Sequence, residues 1–146
     1  MTSPGRLPTV NRVMAVLDTA DAATTTVAAL EGEGFPAGDV LVLKGERDAE
    51  RIDSLGNAGG LWARARRLLS FTLADQVVDL AVYVAALRDG RTVVSVLVSG
   101  DAGRERARRA LSGPGAHFVN FFGRFATEDM VPWRGPELPL PPWLRR

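Results

Sequence analysis

A ten-residue segment occurs twice in this chain, and the repeat constrains the fold more than any other feature. Residues 13–22 and 93–102 are identical at five of ten positions at an offset of 80. Each copy begins as an apolar strand, continues into a pattern of helical period and is followed by a second apolar strand. Two strand–helix–strand units in 146 residues predict a pseudo-twofold α+β sheet with both repeat helices on one face.

The remaining patterns place a helical insert between the two units. The resulting order, β-α-β, a helical pair over 61–89 and β-α-β, is a ferredoxin-like split βαβ repeat with a four-stranded antiparallel sheet. Glycine and proline mark the element ends. Residues 1–10 form a flexible lead-in and 11–130 the single domain. Residues 131–146 form an extended Pro/Trp tail, because five prolines in that stretch prevent regular structure. Strands are predicted over about 12–17, 40–44, 92–98 and 116–122, and helices over about 20–33, 47–54 and 101–111.

The predicted strands are apolar on both faces, whereas a strand with one wet face alternates. The repeat helices cover one face only. The other face must be covered by the 61–89 helices, the Trp-bearing tail or a second copy of the chain. Leaving several hundred Å2 of it in water would cost on the order of 10 kcal/mol. If the internal helices do not cover this face completely, we therefore expect a homo-oligomer, with a dimer favoured.

Composition excludes several classes of site and partner. The chain has no cysteine and one histidine, so disulfides, thiolate catalysis and multi-histidine metal sites are excluded, and neither a metal nor a cofactor is expected. The longest apolar run, Leu80 to Leu87, has eight residues, far short of a membrane span. Residues 1–10 lack the apolar core of a signal peptide, so a cytoplasmic protein is expected. Lys44 is the sole lysine among 18 basic residues, which indicates codon bias, and nucleic-acid binding is not expected.

Two stretches of the chain resemble a known family. Residues 13–18 with the helix and the Glu31–Val40 segment after them, and the Gly115–Arg124 segment followed by Thr127-Glu128-Asp129, resemble the bacterial general stress protein domain of heat-induced proteins and related uncharacterised bacterial proteins. The resemblance covers about residues 11–130. It implies a ferredoxin-like fold and an association with stress, and it supplies no catalytic residues.

His117 is the one candidate for acid–base catalysis. A histidine that titrates near neutral pH can shuttle a proton, and Asp18 or Asp101 could orient it if the fold brings them near. Simple alternation along the fourth strand places His117 on one face with Val119 and Phe121. The alternative is a structural histidine held by hydrogen bonds.

A ligand site is the second candidate. Four phenylalanines between residues 118 and 125 could line an apolar pocket, with Asn120 and Arg124 as its polar anchors and His117 as a further ligand-binding residue. The same residues could instead form core and interface.

An anion site is the third candidate. Gly59 and Gly60 precede a helix bearing Arg64, and backbone amides at a helix start attract phosphate. A flexible turn explains the glycines equally. The arginines of the second repeat helix, at 104, 106, 108 and 109, could form a phosphate-binding ridge or a solvated helix face.

No catalytic constellation emerges from these patterns. The sequence therefore favours a non-enzymatic, oligomeric module that binds a small anionic or apolar ligand or acts in regulation during stress. The first alternative is a small dimeric α+β enzyme that uses His117 as acid and base. The second is an adaptor that docks on another protein through the tail, Pro132 to Pro142 with Trp133 and Trp143.

Overall fold

A computed structural model describes residues 11–53, 82–113, 115–122 and 127–131. The strands are β1 Arg12–Leu17, β2 Val40–Lys44, β3 Thr92–Leu97, β4 Ala116–Phe122 and β5 Thr127–Val131. The helices are α1 Ala20–Gly32, α2 Gly45–Asp53, the helical residues 82–88 (α3) and α4 Gly100–Leu111, with a 3-10 turn at Ala37–Asp39 before β2. None of the helices in these ranges is long and apolar enough to cross a membrane.

The strands form one antiparallel sheet in the order β2-β3-β1-β4-β5. The four predicted strands are all present, which confirms the α+β class and the four-stranded antiparallel sheet, and their order is compatible with a ferredoxin-like arrangement. The fifth strand, β5, extends the sheet beyond β4 and was not predicted. Its last residue is Val131, where the predicted tail begins; the rest of that tail lies outside the described residues.

The two repeat units pair with each other at the centre of the sheet, because β1 and β3 are neighbours. Their equivalence in space, however, is one residue out of step with the sequence repeat. Val13 packs towards α1 and α4, whereas its sequence match Val93 packs on the opposite face. Two residues link strand to helix in both copies, so the links do not differ in length. The difference lies in the register: Val13 pairs with Val96, three positions from Val93, and because side chains alternate along a strand, Val93 lies on the other face.

One face of the sheet is covered by the two repeat helices. Ala23 and Leu30 of α1, and Ala107 and Leu111 of α4, are buried against it. Small residues on α4 allow the helix to lie close to the strands. We call this layer the α1/α4 core. From the sheet it contains Val13, Ala15, Leu17, Val94, Val96 and Val119.

The other face is covered from within the chain by α2 and α3. Five consecutive residues of α3, Tyr83 to Leu87, are buried, as the all-round apolar pattern of this segment requires. The polar helix α2 also contributes, since Ala49 and Ile52 are fully buried while Glu46, Arg47 and Glu50 are exposed. We call this layer the α2/α3 core. Its sheet residues are Met14, Val16, Leu43, Val93 and Phe122.

A β-bulge interrupts the pairing of β1 with β4, and Tyr83 fills the gap. The register shifts between Met14 and Val16, and Phe118 on β4 has a φ of 50°. The Tyr83 hydroxyl lies 2.8 Å from the Met14 carbonyl oxygen and 2.5 Å from that of Phe118. It accepts a hydrogen bond from the buried Asn120 amide at 3.1 Å. A hydroxyl donates one hydrogen bond, so Tyr83 bonds to one of these two carbonyl oxygens while lying close to the other, and it bridges the two strands at the bulge.

Replacing Tyr83 with Phe should therefore destabilise the protein with little loss of packing. The substitution leaves buried polar groups of β1, β4 and Asn120 without their partner, which typically costs about 1–3 kcal/mol. Urea unfolding of Tyr83→Phe should show this loss at an unchanged m-value. Thr24→Ala, which removes an exposed hydroxyl bonded to Ala20, is the control and should stay within about 0.5 kcal/mol of the parent. Equal stability of Tyr83→Phe and the parent would contradict the role given to the hydroxyl.

Candidate functional site

His117 forms a close pair with Asp18 at one end of the sheet. We call this end, where β1 stops and β3 and β4 begin, the Asp18 end. The His117 Nε2 atom lies 2.7 Å from an Asp18 carboxylate oxygen, and the two side chains are 15% and 39% exposed. The fold therefore brings Asp18, one of the two carboxylates that could orient the histidine, next to it. The other, Asp101, instead forms an ion pair with Arg104.

The prediction that His117 shares a face with Val119 and Phe121 is wrong, because the bulge shifts the alternation of side chains along β4. The register places His117 opposite Val16, which belongs to the α2/α3 core. Val119 and Phe121, which simple alternation placed beside His117, belong to or pack on the α1/α4 core. Phe118, with its positive φ, is the extra residue of the bulge, and it puts His117 on the opposite face from Val119 and Phe121.

Arg91 joins this pair from the start of β3. Its Nε lies 3.3 Å from Asp18, its guanidinium also pairs with Asp89, and its side chain is 14% exposed. Asp18 therefore faces an imidazole and a guanidinium together. Such an arrangement holds the histidine with a proton on Nε2 and ties together the ends of three strands. It can serve as an acid–base pair or as a structural clasp.

The residues of the predicted apolar ligand pocket divide between the two faces. Phe118 and Phe122 contact the Tyr83 ring, at centroid distances of 5.2 and 5.8 Å, on the α2/α3 side. Phe121 lies on the other side. Asn120, one of the expected polar anchors, is fully buried and donates to Tyr83. Arg124, the other anchor, lies outside the described residues.

The predicted anion site at Gly59, Gly60 and Arg64 also lies outside the described residues. The arginines of α4, by contrast, each have a partner close by. Arg104 and Arg106 lie over the rings of Phe121 and Phe35. Three of the arginines pair with carboxylates, Arg104 with Asp101, Arg108 with Glu105 and Arg109 with Glu33. The hydrogen bond from Arg108 lowers the pKa of Glu105 and raises that of Arg108. This helix face carries local ion pairs, as the solvated-face interpretation expects.

A groove of about 330 Å3 opens at the opposite end of the sheet. We call this end, where β1 begins and β3 and β4 stop, the Asn11 end. The groove lies on the α1/α4 side, beside the first turn of α4. Its lining residues are Asn11, Val98, Ser99, Gly100, Arg104 and Phe121.

The groove combines an aromatic ring, a guanidinium and free helix amides. The Arg104 guanidinium carbon lies 4.7 Å from the centre of the Phe121 ring. Ser99 occupies the N-cap position of α4, but its side chain makes no capping hydrogen bond. The first amides of a helix have no partner within the helix, so those of α4 remain available here. Gly100 has a φ of 70°, a conformation that a residue without a side chain adopts readily.

Comparisons of the chain with protein-family models, with curated proteins and with solved structures find no match. Among residues 11–53, 82–113, 115–122 and 127–131, no three histidine, cysteine or acidic side chains are placed to hold a metal ion. The resemblance to the general stress protein domain stays a prediction.

The groove and a buried arginine, Arg12, are the features that the sequence analysis missed. Two signals for them were present. Ser99 directly precedes α4 and Gly100 begins it, which is typical of a helix start that approaches a ligand. Arg12 is the one charged residue in a strand whose other five residues are apolar, and all six are buried.

The Asp18–His117 contact should show measurable coupling in a double-mutant cycle. Asp18→Asn and His117→Gln each remove the pairing, so their combined effect on the free energy of unfolding should fall short of the sum by about 1 kcal/mol. Chemical denaturation of the four proteins measures this. Glu105→Gln combined with His117→Gln is the control, and because Glu105 lies on α4 its effect should be additive. Additivity in the Asp18 cycle as well would show that the two side chains do not interact.

Proposed function

We propose that this protein is a non-enzymatic module that binds a small ligand in the groove at the Asn11 end. The observation that carries the proposal is the groove itself, in which Arg104 and Phe121 meet the start of α4. Small-ligand sites are concave, of roughly 300 Å3 or more, and combine apolar surface with a few polar groups that fix orientation. The association with bacterial stress and the finer assignment to the ferredoxin-like family rest on the sequence resemblance, and a cytoplasmic location rests on composition.

The chemistry of the lining favours a ligand with an anionic group and an apolar body. Helix amides and a guanidinium both donate hydrogen bonds to anions. Phe121 and Val98 supply apolar surface. Asp101 pairs with Arg104 and opposes an incoming anion, but its side chain is 90% exposed. Because an exposed ion pair contributes little, a ligand carboxylate or phosphate can take the place of Asp101 at small cost.

Phenyl phosphate is a suitable probe because it joins an aromatic ring to an anion. In a 1H–15N NMR titration, the largest shifts should fall on the amides of Ser99, Gly100 and Asn11. Arg104→Met removes the charge with similar bulk and should weaken binding at least fivefold. Arg108→Met, on the same helix but outside the groove, should leave the affinity unchanged. Scattered shifts, or equal affinities of the two variants, would rule out this site.

We also propose that two copies of the chain pair through the edge strand β2. In the described part of the chain β2 is one of the two edge strands of the sheet, and Val42 at its centre is 42% exposed. The Lys44 N–H donates to the Asp48 carboxylate at 2.8 Å, so it points away from β3. Alternate residues of a strand direct their amides to the same edge, and the Val42 N–H therefore points outwards too.

A twofold pairing centred on Val42 is self-complementary. Val42 of one copy then lies opposite Val42 of the other and exchanges two hydrogen bonds with it. Lys44 of each copy then lies opposite Val40 of the other. Edge strands of monomeric proteins usually carry a central charge or a proline, and β2 has neither. These features support a second copy as the occupant of this edge.

Val42→Pro tests the dimer without disturbing the internal ladder. Proline removes only the outward N–H, and edge strands tolerate it. Light scattering at micromolar concentration should give about twice the chain mass of 15.7 kDa for the parent and the single-chain mass for Val42→Pro. Val42→Thr keeps the N–H and should remain dimeric. A monomeric parent, or a dimeric Val42→Pro, would contradict pairing through β2.

Acid–base catalysis by His117 is the second candidate function, and the 2.7 Å contact with Asp18 favours it. The two candidates occupy opposite ends of the sheet. His117→Gln should therefore abolish turnover if the protein is an enzyme of this kind, and it should leave phenyl phosphate binding in the groove intact in either case.

A further inference from the structure

Arg12 carries a buried positive charge at the Asn11 end, on the face opposite the groove. The residue is 5% exposed. The guanidinium donates to the Ser95 hydroxyl at 2.7 Å, to the Ser95 carbonyl at 3.2 Å and to the Asp39 carbonyl at 2.8 Å. All three acceptors are uncharged. Burial lowers the pKa of Arg12, and the Asp39 carboxylate partly opposes this effect.

No carboxylate of the described residues forms an ion pair with Arg12. The bonds above use Nε and Nη2, and Nη1 has no acceptor within the same ranges. Buried charges in proteins are normally paired, because the desolvation of a lone guanidinium is expensive. Nη1 of Arg12 is not among the buried polar atoms that lack a partner, so this corner of the guanidinium reaches solvent and is open to a ligand.

Apolar surface lies directly beside this charge. Leu97 is the register partner of Arg12 across the β1–β3 ladder, so the two side chains share a face a few Å apart. It is 41% exposed, one of two large apolar side chains so exposed in the described part of the chain. Leu41, the register partner of Ser95, continues the same surface.

We propose that Arg12 and Leu97 form a second binding site, for a small carboxylate that bears an aliphatic chain. The carboxylate accepts hydrogen bonds from the open corner of the guanidinium and adds a directly bonded counter-charge to the influence of the nearby Asp39. The aliphatic chain lies along Leu97 and Leu41 and removes their surface from water. The site shares no residue with the groove, and the proposal stands independently of the one made for it.

Hexanoate is the probe, with hexanol and inorganic phosphate as matched compounds that lack the charge or the chain. Hexanoate should shift the NMR signals of the Arg12 Nε–H and the Ser95 amide, with at least tenfold tighter binding than either comparison compound. Arg12→Met should abolish the response, while Arg104→Met should retain it. Equal effects of phosphate and hexanoate would overturn the aliphatic carboxylate, and loss of the response only in Arg104→Met would assign the binding to the groove.

Leu97→Glu provides a test that does not depend on Arg12→Met folding. The new carboxylate lies beside Arg12 and should act as an internal counter-ion, so Leu97→Glu should unfold at a higher temperature than Leu97→Gln at pH 7. The ion pair lowers the pKa of the introduced glutamate. The advantage over Leu97→Gln is therefore present above the unfolded-state pKa and disappears as the pH falls through the folded-state value. Equal melting temperatures at pH 7, or a retained hexanoate response in Leu97→Glu, would refute the proposal.

Discussion

Burial of the central strands on both faces is the constraint on which the rest of this structure depends. All six residues of β1 and five of the six in β3 are buried. Each valine or leucine withdrawn from water contributes about 1.5–3 kcal/mol, but only if a layer covers it. The repeat helices provide one layer, and α2 with α3 provides the other. The polar groups carried by this interior must then bond to one another, as Asn120 does with Tyr83 and Arg12 with Ser95.

Much of this architecture follows from local patterns in the sequence. Runs of valine and leucine predict strands covered on both sides, and the all-round apolar character of 82–88 predicts a buried helix. The details that failed depend on single residues whose effect is decided by packing. The β1–β3 register, in which Val13 pairs with Val96, puts the sequence repeat out of step with the spatial one. One extra residue at Phe118 turns His117 to the opposite face, and an L-residue at positive φ has no clear mark in the sequence.

The chemistry at the ends of the sheet was less predictable than the sheet itself. The Asp18–His117 pair joins residues 99 positions apart and follows only once β1 and β4 are known to be neighbours. The groove likewise needs the ends of three strands and the start of α4 to converge. Arg12 differs, because a lone charge within an apolar strand is visible in the sequence. Its meaning depends on whether the fold supplies a carboxylate, and the described residues place only carbonyl and hydroxyl oxygens on its nitrogens.

The two repeat helices begin in two different ways. At the start of α1, the Thr19 side chain accepts a hydrogen bond from the Ala22 amide, and Asp18 beside it binds His117. At the start of α4, Ser99 makes no such bond and a groove takes the place of the Asp18 pair. Both helices keep an acid in the first turn, which stabilises any helix start. The first copy closes its helix start with a single threonine hydroxyl, whereas the second copy leaves the same position open. Helix stability alone therefore does not account for the open start of α4.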